Sequence, residues 1–182
     1  MVEYLGWVVI CLLFADIITG VAHWAEDTYC LDGYPVIGKL ICEPNIDHHI
    51  NPSLITKSGT FFSRNLIQWF LSSLTYFVLY MIGFGYWQCG LCLFLASFGN
   101  EVHMWNHTTK LGPVPTFFKN SGLVQAQKQH SLHHKPPYLQ YYCTLTSFTN
   151  EVFELTNFWR GLEYLISLFG IHPKRNLRRD YN

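Results

Sequence analysis

Two long stretches without charged residues dominate the hydrophobic pattern of the chain. Residues 4–21 carry a single charge, Asp16, and residues 66–100 carry none. One helix over residues 66–100 would be about 50 Å long at ~1.5 Å per residue, whereas the hydrocarbon core of a bilayer is ~30 Å thick. The glycine-rich segment 83–90 is where the chain can turn back. The pattern therefore predicts three membrane-spanning helices, at about residues 4–23, 66–83 and 88–104.

The composition agrees with a membrane protein. The 182 residues are 49% hydrophobic and only 13% charged, whereas roughly 25% of the residues in soluble domains are charged. The length is that of one domain, residues 1–182, and we predict an all-α integral membrane protein. A buried helical hairpin in a soluble protein is the alternative that this pattern leaves open.

Lysine and arginine residues predict the orientation of the three helices. All twelve lie either between the first and second predicted spans or after the third. Because cytoplasmic loops are enriched in these residues, we predict that segments 24–65 and 105–182 are cytosolic. The chain shows no plastid or mitochondrial targeting segment, so we expect the endoplasmic reticulum membrane if the source is a eukaryote.

Eight of the nine histidines fall on this predicted cytosolic side. They form four groups near the ends of spans or in the cytosolic segments: His23; His48 and His49; His103 and His107; His130, His133 and His134. Scattered surface histidines would not need to share one side of the membrane. We therefore predict that the eight form a common metal centre, and that His172 is a surface residue.

The first predicted span carries one polar stripe. Asp16, Gly20, His23 and Asp27 are separated by four, three and four residues, which places them on one face of a helix. An ionisable residue within a span is a candidate functional residue by default. We predict that Asp16 accepts a hydrogen bond from the imidazole of a metal-bound histidine and so fixes its tautomer.

The remaining histidine groups also have helical spacing. Adjacent His48 and His49 would point about 100° apart on a helix with ~3.6 residues per turn, so they can serve two different metals. Asn45 is predicted to cap this helix and Pro52 to end it. The spacings within Asn100, His103 and His107, and within the three histidines at 130–134, place each set on one helical face.

Imidazole ligands alone do not select a metal, because zinc, copper, iron and nickel all accept them. Eight histidines exceed the needs of one tetrahedral zinc and divide into two sets of four. The chain lacks the HExxH motif of zinc proteases and the ExxH pairs of carboxylate-rich di-iron bundles. Transporters bind their ions near the membrane midplane. We therefore predict a di-iron centre for O2-dependent oxidation of a lipid chain. A non-redox metal-binding or transport protein remains the alternative of another class.

Two further expectations concern packing. The six cysteines show no disulfide spacing, and we predict that they are small packing residues. Residues 151–169 have helical amphipathic periodicity, with Asn150 and Gly170 as caps. We expect one helix there, lying at the membrane surface or packed against the protein.

Five segments of the chain together resemble the Kua family of lipid desaturases. They are "ADIITGVAHWAEDTY", "DHHINPSLIT", "NEVHMWNHT", "QHSLHHKPP" and "FWRGLEYLI". The resemblance implies that the eight histidines are the family's iron ligands. It also implies that Asp27, Asn100 and Asn150 are polar residues surrounding the ligands.

The same resemblance implies the reaction and its cofactors. Two iron ions would use O2 as co-substrate and electrons from cytochrome b5, ultimately from NADH. The reaction would remove two hydrogens from adjacent carbons of a membrane lipid chain. For the animal branch of the family this converts a plasmanyl ether lipid into a vinyl ether plasmalogen. Desaturation or hydroxylation of an acyl lipid is the alternative at the same site.

Overall fold

Helices account for all regular secondary structure in the described part of the chain. The computed structural model describes residues 2–57 and 59–174. Over these residues it contains ten α-helices and no β-strand, which confirms the all-helical prediction. The helices are α1 Val2–Tyr29, α2 Glu43–Ile50, α3 Leu54–Lys57, α4 Phe61–Met81, α5 Trp87–Ala96, α6 Gly99–His107, α7 Pro113–Ser121, α8 Gln127–His133, α9 Ser147–Leu155 and α10 Phe158–Ser167. A π-helix, Gly38–Cys42, leads directly into α2. The outer limits of the predicted domain, residues 1 and 175–182, lie outside this description.

The three predicted spans differ in how far the structure supports them. Within residues 2–57 and 59–174, α1 is the one helix that is long and apolar enough to cross a membrane by length and composition. The second predicted span corresponds to α4 and the third to α5 followed by α6, which are separated at Ser97 and Phe98. The three-span topology therefore stays a prediction.

Helix α1 packs closely against a buried segment that follows α8. A Cβ atom added to Gly20 would lie 2.5 Å from Cys143 Sγ and 3.3 Å from a ring carbon of Trp159. Trp24 and Tyr142 complete a buried cluster with these two residues. Glycine at position 20 is therefore what allows α1 to approach this segment.

Residues 140–146, called the 140–146 segment below, are not helical although most of them are buried. Buried backbone groups need hydrogen-bond partners, and here side chains from other elements supply them. Asp16 accepts from Leu145 N at 2.8 Å and from Thr146 Oγ1 at 2.6 Å. Asn150 binds the backbone N and O of Cys143 at 2.9 and 2.7 Å. Polar side chains thus replace secondary structure in fixing this segment.

Several local expectations were wrong. The predicted helix over residues 151–169 is divided into α9 and α10, because Asn157 adopts a left-handed conformation with φ of 52°. Asn150 lies inside α9 and is not a cap. Asn45 does not begin α2 either, since the π-helix continues into that helix at Glu43.

The expectation that all cysteines are packing residues was also wrong. Cys30 and Cys42 form a disulfide, which joins the segment after α1 to the π-helix before α2. The other four cysteines are free, and Cys11 and Cys143 among them are buried. The spacing of the cysteines in the sequence does not predict this disulfide, because the two residues come together only through the conformation of the loop between α1 and α2.

Candidate metal centre

The fold brings the eight predicted histidines and one aspartate into two compact groups. In each group, the possible ligand atoms all lie within 4.8 Å of one another. The five-histidine group consists of His48, His103, His107, His130 and His134, and the Asp27 group consists of His23, Asp27, His49 and His133. The predicted division into two sets of four histidines was wrong, because a carboxylate takes the fourth place in the second group. The exposed His172 belongs to neither group.

Two helices contribute to both groups at once. In α2, adjacent His48 and His49 lie in different groups, as their separation of about 100° predicts. At the end of α8, His133 belongs to the Asp27 group, whereas His134 belongs to the five-histidine group. The two groups therefore share two of the elements that support them.

Distances within the five-histidine group match those of nitrogens that share one metal ion. His48 Nε2 lies 2.8 Å from His103 Nε2 and 3.1 Å from His134 Nε2. With metal–nitrogen bonds of ~2.1 Å, two ligands about 90° apart have their nitrogens ~3.0 Å apart. Imidazole nitrogen is a suitable ligand for iron, zinc and copper. The residues present thus fit a transition-metal ion.

The Asp27 group has the same character, with an oxygen ligand added. Asp27 Oδ1 lies 3.1 Å from His49 Nε2, and Oδ2 lies 3.4 Å from His133 Nε2. His133 Nε2 is 3.2 Å from His23 Nε2. The Asp27 side chain is only 1% exposed, and a buried carboxylate needs a cation or strong hydrogen bonds. We therefore expect Asp27 to be a direct metal ligand as well as an orienting residue.

Asn45 is a contributor that the sequence interpretation missed. Its Nδ2 atom donates a 2.7 Å hydrogen bond to Asp27 Oδ1, which fixes the carboxylate among the imidazoles. The signal was available in the sequence, because Asn45 precedes His48 by three residues and His49 by four. On a helix, that spacing places the asparagine on the side that faces the metal centre.

Backbone carbonyls of the 140–146 segment orient two of the histidines. His23 Nδ1 lies 3.1 Å from the carbonyl of Tyr142, and His133 Nδ1 lies 2.9 Å from that of Gln140. A carbonyl can only accept, so each Nδ1 carries the proton and each Nε2 offers its lone pair to the centre.

This arrangement changes the role assigned to Asp16 and Asn150. Asp16 binds Leu145 and Thr146 of the 140–146 segment. Asn150 binds Cys143 of the same segment and also donates to Gln129 Oε1 at 3.4 Å. None of these partners is an imidazole. Asp16 and Asn150 therefore affect the metal centre indirectly. They hold in place the segment whose carbonyls orient His23 and His133. Asn100 donates to the carbonyl of Arg64 at 3.3 Å and lines the same cavity as His48 and His103; its role beside the ligands stays a prediction.

The electrostatic environment keeps the histidines in the form that binds metal. Burial, with the nearby His107 as second cause, lowers the pKa of His48 to about 2. Burial also lowers the pKa of His107 to about 4 and holds the pKa values of His130 and His133 well below the usual range. Neutral imidazole is the metal-binding form, so these side chains are ready to bind metal at neutral pH.

A partly buried ion pair positions α4 against α6 beside the centre. Arg64 donates to Glu101 Oε2 at 3.0 Å, and Trp105 Nε1 donates to Glu101 Oε1 at 3.2 Å. Asn65 adds a weaker contact to the same carboxylate at 3.4 Å. Glu101 was not identified from the sequence, although this residue lies between Asn100 and His103.

Two cavities open onto the centre from different sides. One, of about 690 Å³, lies between α1 and α4 and reaches His23, His48 and His103. The other, of about 600 Å³, reaches His107 and is lined mostly by polar side chains, among them Lys119 and Gln127. The centre therefore has two differently lined approaches.

Comparison with known proteins confirms the resemblance that the histidine motifs indicated. Residues 12–176 match the family described as lipid desaturase domain. The chain is 30% identical over 181 residues to plasmanylethanolamine desaturase 1 of Mus musculus, covering 89% of this chain and 65% of the mouse protein. It is 28% identical over 180 residues to the plasmanylethanolamine desaturase of Myxococcus xanthus, covering 94% of this chain and 64% of that protein.

A plant relative shows a similar degree of identity. The chain is 30% identical over 179 residues to fatty acid desaturase 4-like 1, chloroplastic, of Arabidopsis thaliana, covering 93% of this chain and 57% of the plant protein. The chain thus spans less than two thirds of the length of these relatives. No solved structure matches it.

Proposed function

The chain belongs to the lipid desaturase family, and we propose that it is an oxidoreductase that uses two iron ions and O2 to desaturate a membrane lipid chain. The observation that carries this proposal is the convergence of eight histidines and Asp27 into two adjacent, buried ligand groups. Two bound iron ions would supply the activation of O2 that C–H oxidation requires. The five-histidine group would hold one ion and the Asp27 group the other.

The protein's own residues determine how these ions are held. Asp27 supplies a negative charge next to His49 and His133. The carbonyls of Gln140 and Tyr142 fix the tautomers of His133 and His23. Such outer contacts commonly change metal affinity by about 10–100-fold. We further propose Asn100 as a polar residue at the wall of the larger cavity, next to the five-histidine group.

We propose that α1, α4 and the α5–α6 pair cross the membrane, with the centre at the cytosolic face of the endoplasmic reticulum. Large apolar side chains exposed along α1 and α4, such as Phe14, Phe70 and Phe77, support a lipid environment. The distribution of lysine and arginine supports the orientation. Reduced cytochrome b5, ultimately supplied by NADH, is the electron donor we propose.

For the substrate, we propose a plasmanyl ether lipid that becomes a vinyl ether plasmalogen. The names of the mouse and Myxococcus relatives support this choice. Desaturation of an acyl lipid is the second candidate, and the name of the plant relative supports it.

Lipid analysis separates the two candidates. The chain would be expressed in plasmalogen-deficient cells, and acid-labile vinyl ether and new acyl double bonds would be measured by mass spectrometry. A rise in vinyl ether supports the first candidate, and a new acyl double bond supports the second. If both products are absent, the proposal of a desaturase is refuted.

Metal analysis of the purified protein tests the centre independently of turnover. We expect about two iron ions per chain, and zinc alone at a single site would contradict the proposal. His133→Ala should abolish the lipid product, whereas His172→Ala, a histidine outside both groups, should retain it. An active His133→Ala variant would remove this residue from the ligand set.

A further inference from the structure

The larger cavity is placed where a reacting hydrocarbon chain would have to lie. Its wall includes the imidazoles of His23, from the Asp27 group, and of His48 and His103, from the five-histidine group. A molecule in this cavity therefore faces the junction between the two ligand groups. Its volume of about 690 Å³ lies within the range of ~300–1,000 Å³ that is usual for ligand sites.

The side chains further from the histidines favour an apolar occupant. Ile18 of α1 and Ile67 and Leu71 of α4 line the cavity, yet they remain 41%, 42% and 47% exposed. Contact with hydrocarbon is more favourable for such side chains than contact with water. A hydrocarbon chain would cover these side chains, whereas a polar ligand would not.

The cavity reaches from the cytosolic side into one leaflet. Its α4 wall extends into the second predicted span as far as Ser72, which is about 9 Å beyond residue 66 along a helix axis at ~1.5 Å per residue. Half of a ~30 Å hydrocarbon core is ~15 Å, so this wall stays within one leaflet. The second cavity is a poorer alternative, because every residue of its lining except Leu111 is polar or charged, whereas the first cavity combines polar residues with several apolar ones.

On these grounds we propose that the α1–α4 cavity is the binding site for one hydrocarbon chain of a bilayer glycerophospholipid. The chain enters sideways between the two helices and lies along Ile67 and Leu71, with Ser72 at the end away from the histidines. This inference rests on the proposed function, because the hydrocarbon chain in this cavity is the one that the proposed metal centre would oxidise.

Two neighbouring serines provide a matched pair for the test. Ser72 lines the cavity and is partly buried, whereas Ser73, the next residue of α4, is exposed and is not part of the wall. Ser72→Trp should fill the far end of the cavity, and Ser73→Trp should add the same side chain to the outside of the helix. Ser72→Leu is a smaller change at the same place, in case the larger one disturbs folding.

The experiment is photo-crosslinking, which requires no turnover. The full chain would be placed in bilayer vesicles that contain phosphatidylcholine with a diazirine midway along one chain, then irradiated and mapped by peptide mass spectrometry. We expect labelling of the cavity residues Ile18, Ala22, Ile67 and Leu71. This labelling should be reduced several-fold in Ser72→Trp, less strongly in Ser72→Leu, and unchanged in Ser73→Trp.

Two results would overturn the inference: labelling confined to outward-facing residues such as Phe70 and Leu74, or equal cavity labelling in all the variants. Failure of the metal analysis above would instead reject the di-iron oxidation, whatever the labelling pattern. The two proposals can therefore fail separately.

Discussion

Replacing Asp27 with asparagine is the sharpest test of how the second ligand group works. Asp27→Asn keeps the shape of the side chain but removes its negative charge and one acceptor oxygen. The change affects the 3.1 Å contact with His49 and the 2.7 Å hydrogen bond from Asn45. It also leaves a neutral amide beside imidazoles whose lone pairs face the centre.

The size of the effect follows from the strength of these contacts. A hydrogen bond to a charged group contributes about 1.5–3 kcal/mol, and tenfold in affinity corresponds to ~1.4 kcal/mol. Losing the charged partner should therefore weaken metal binding to the Asp27 group by roughly 10–100-fold, in line with the usual effect of changing residues around metal ligands. The five-histidine group should retain its ion.

The measurement is iron content after dialysis against a graded series of chelator concentrations. At a concentration that leaves about two ions on the unmodified chain, we expect about one on Asp27→Asn. Asp32→Asn is the control, because Asp32 lies in the turn after α1 and accepts from the backbone of Gly33. Retention of both ions by Asp27→Asn would refute the assignment of Asp27 to the ligand set.

Two further predictions concern stability. Asn150→Leu should remove the hydrogen-bond partners of the buried N–H and carbonyl of Cys143. The loss of stability should be about 1–3 kcal/mol for each group, which should lower the thermal midpoint by several degrees. Asn120→Leu, a control at an exposed position, should leave the midpoint unchanged, and equal midpoints for the two variants would contradict the role of Asn150. Metal-free protein should lose stability as the pH falls from 6.5 towards 4. The reason is that unfolded histidines gain protons near pH 6.5, whereas burial lowers the pKa of His107 in the folded protein to about 4. Thermal midpoints that increase as the pH is lowered from 6.5 to 4 would contradict this reasoning.

The sequence was sufficient for the all-helical class and for the spacing within the histidine groups, because both depend on periodicity. Helical spacing placed His103 and His107 on one face, and it separated His48 from His49. It could not show that Asp27 lies within ligand distance of His23, His49 and His133, since that depends on the direction in which α2 and α8 approach α1.

The features that escaped prediction are those without a repeating pattern. The 140–146 segment has no helical or alternating periodicity, and its conformation depends on distant side chains such as Asp16 and Asn150. The interruption between α9 and α10 coincides with the left-handed backbone conformation of Asn157, which no periodicity indicates. The Cys30–Cys42 disulfide depends on how a loop closes.

The sharing of α2 and α8 between the two ligand groups has a consequence for how the ions are loaded. His48 and His49 are joined by one peptide bond, as are His133 and His134, so an ion that orders one member of either pair also restricts its neighbour. The first ion would thus bear much of the entropic cost of ordering both helices, and the second would bind to ligands that are already arranged. Metallation of the unmodified chain should accordingly be cooperative, with fewer singly loaded chains than two independent sites would give.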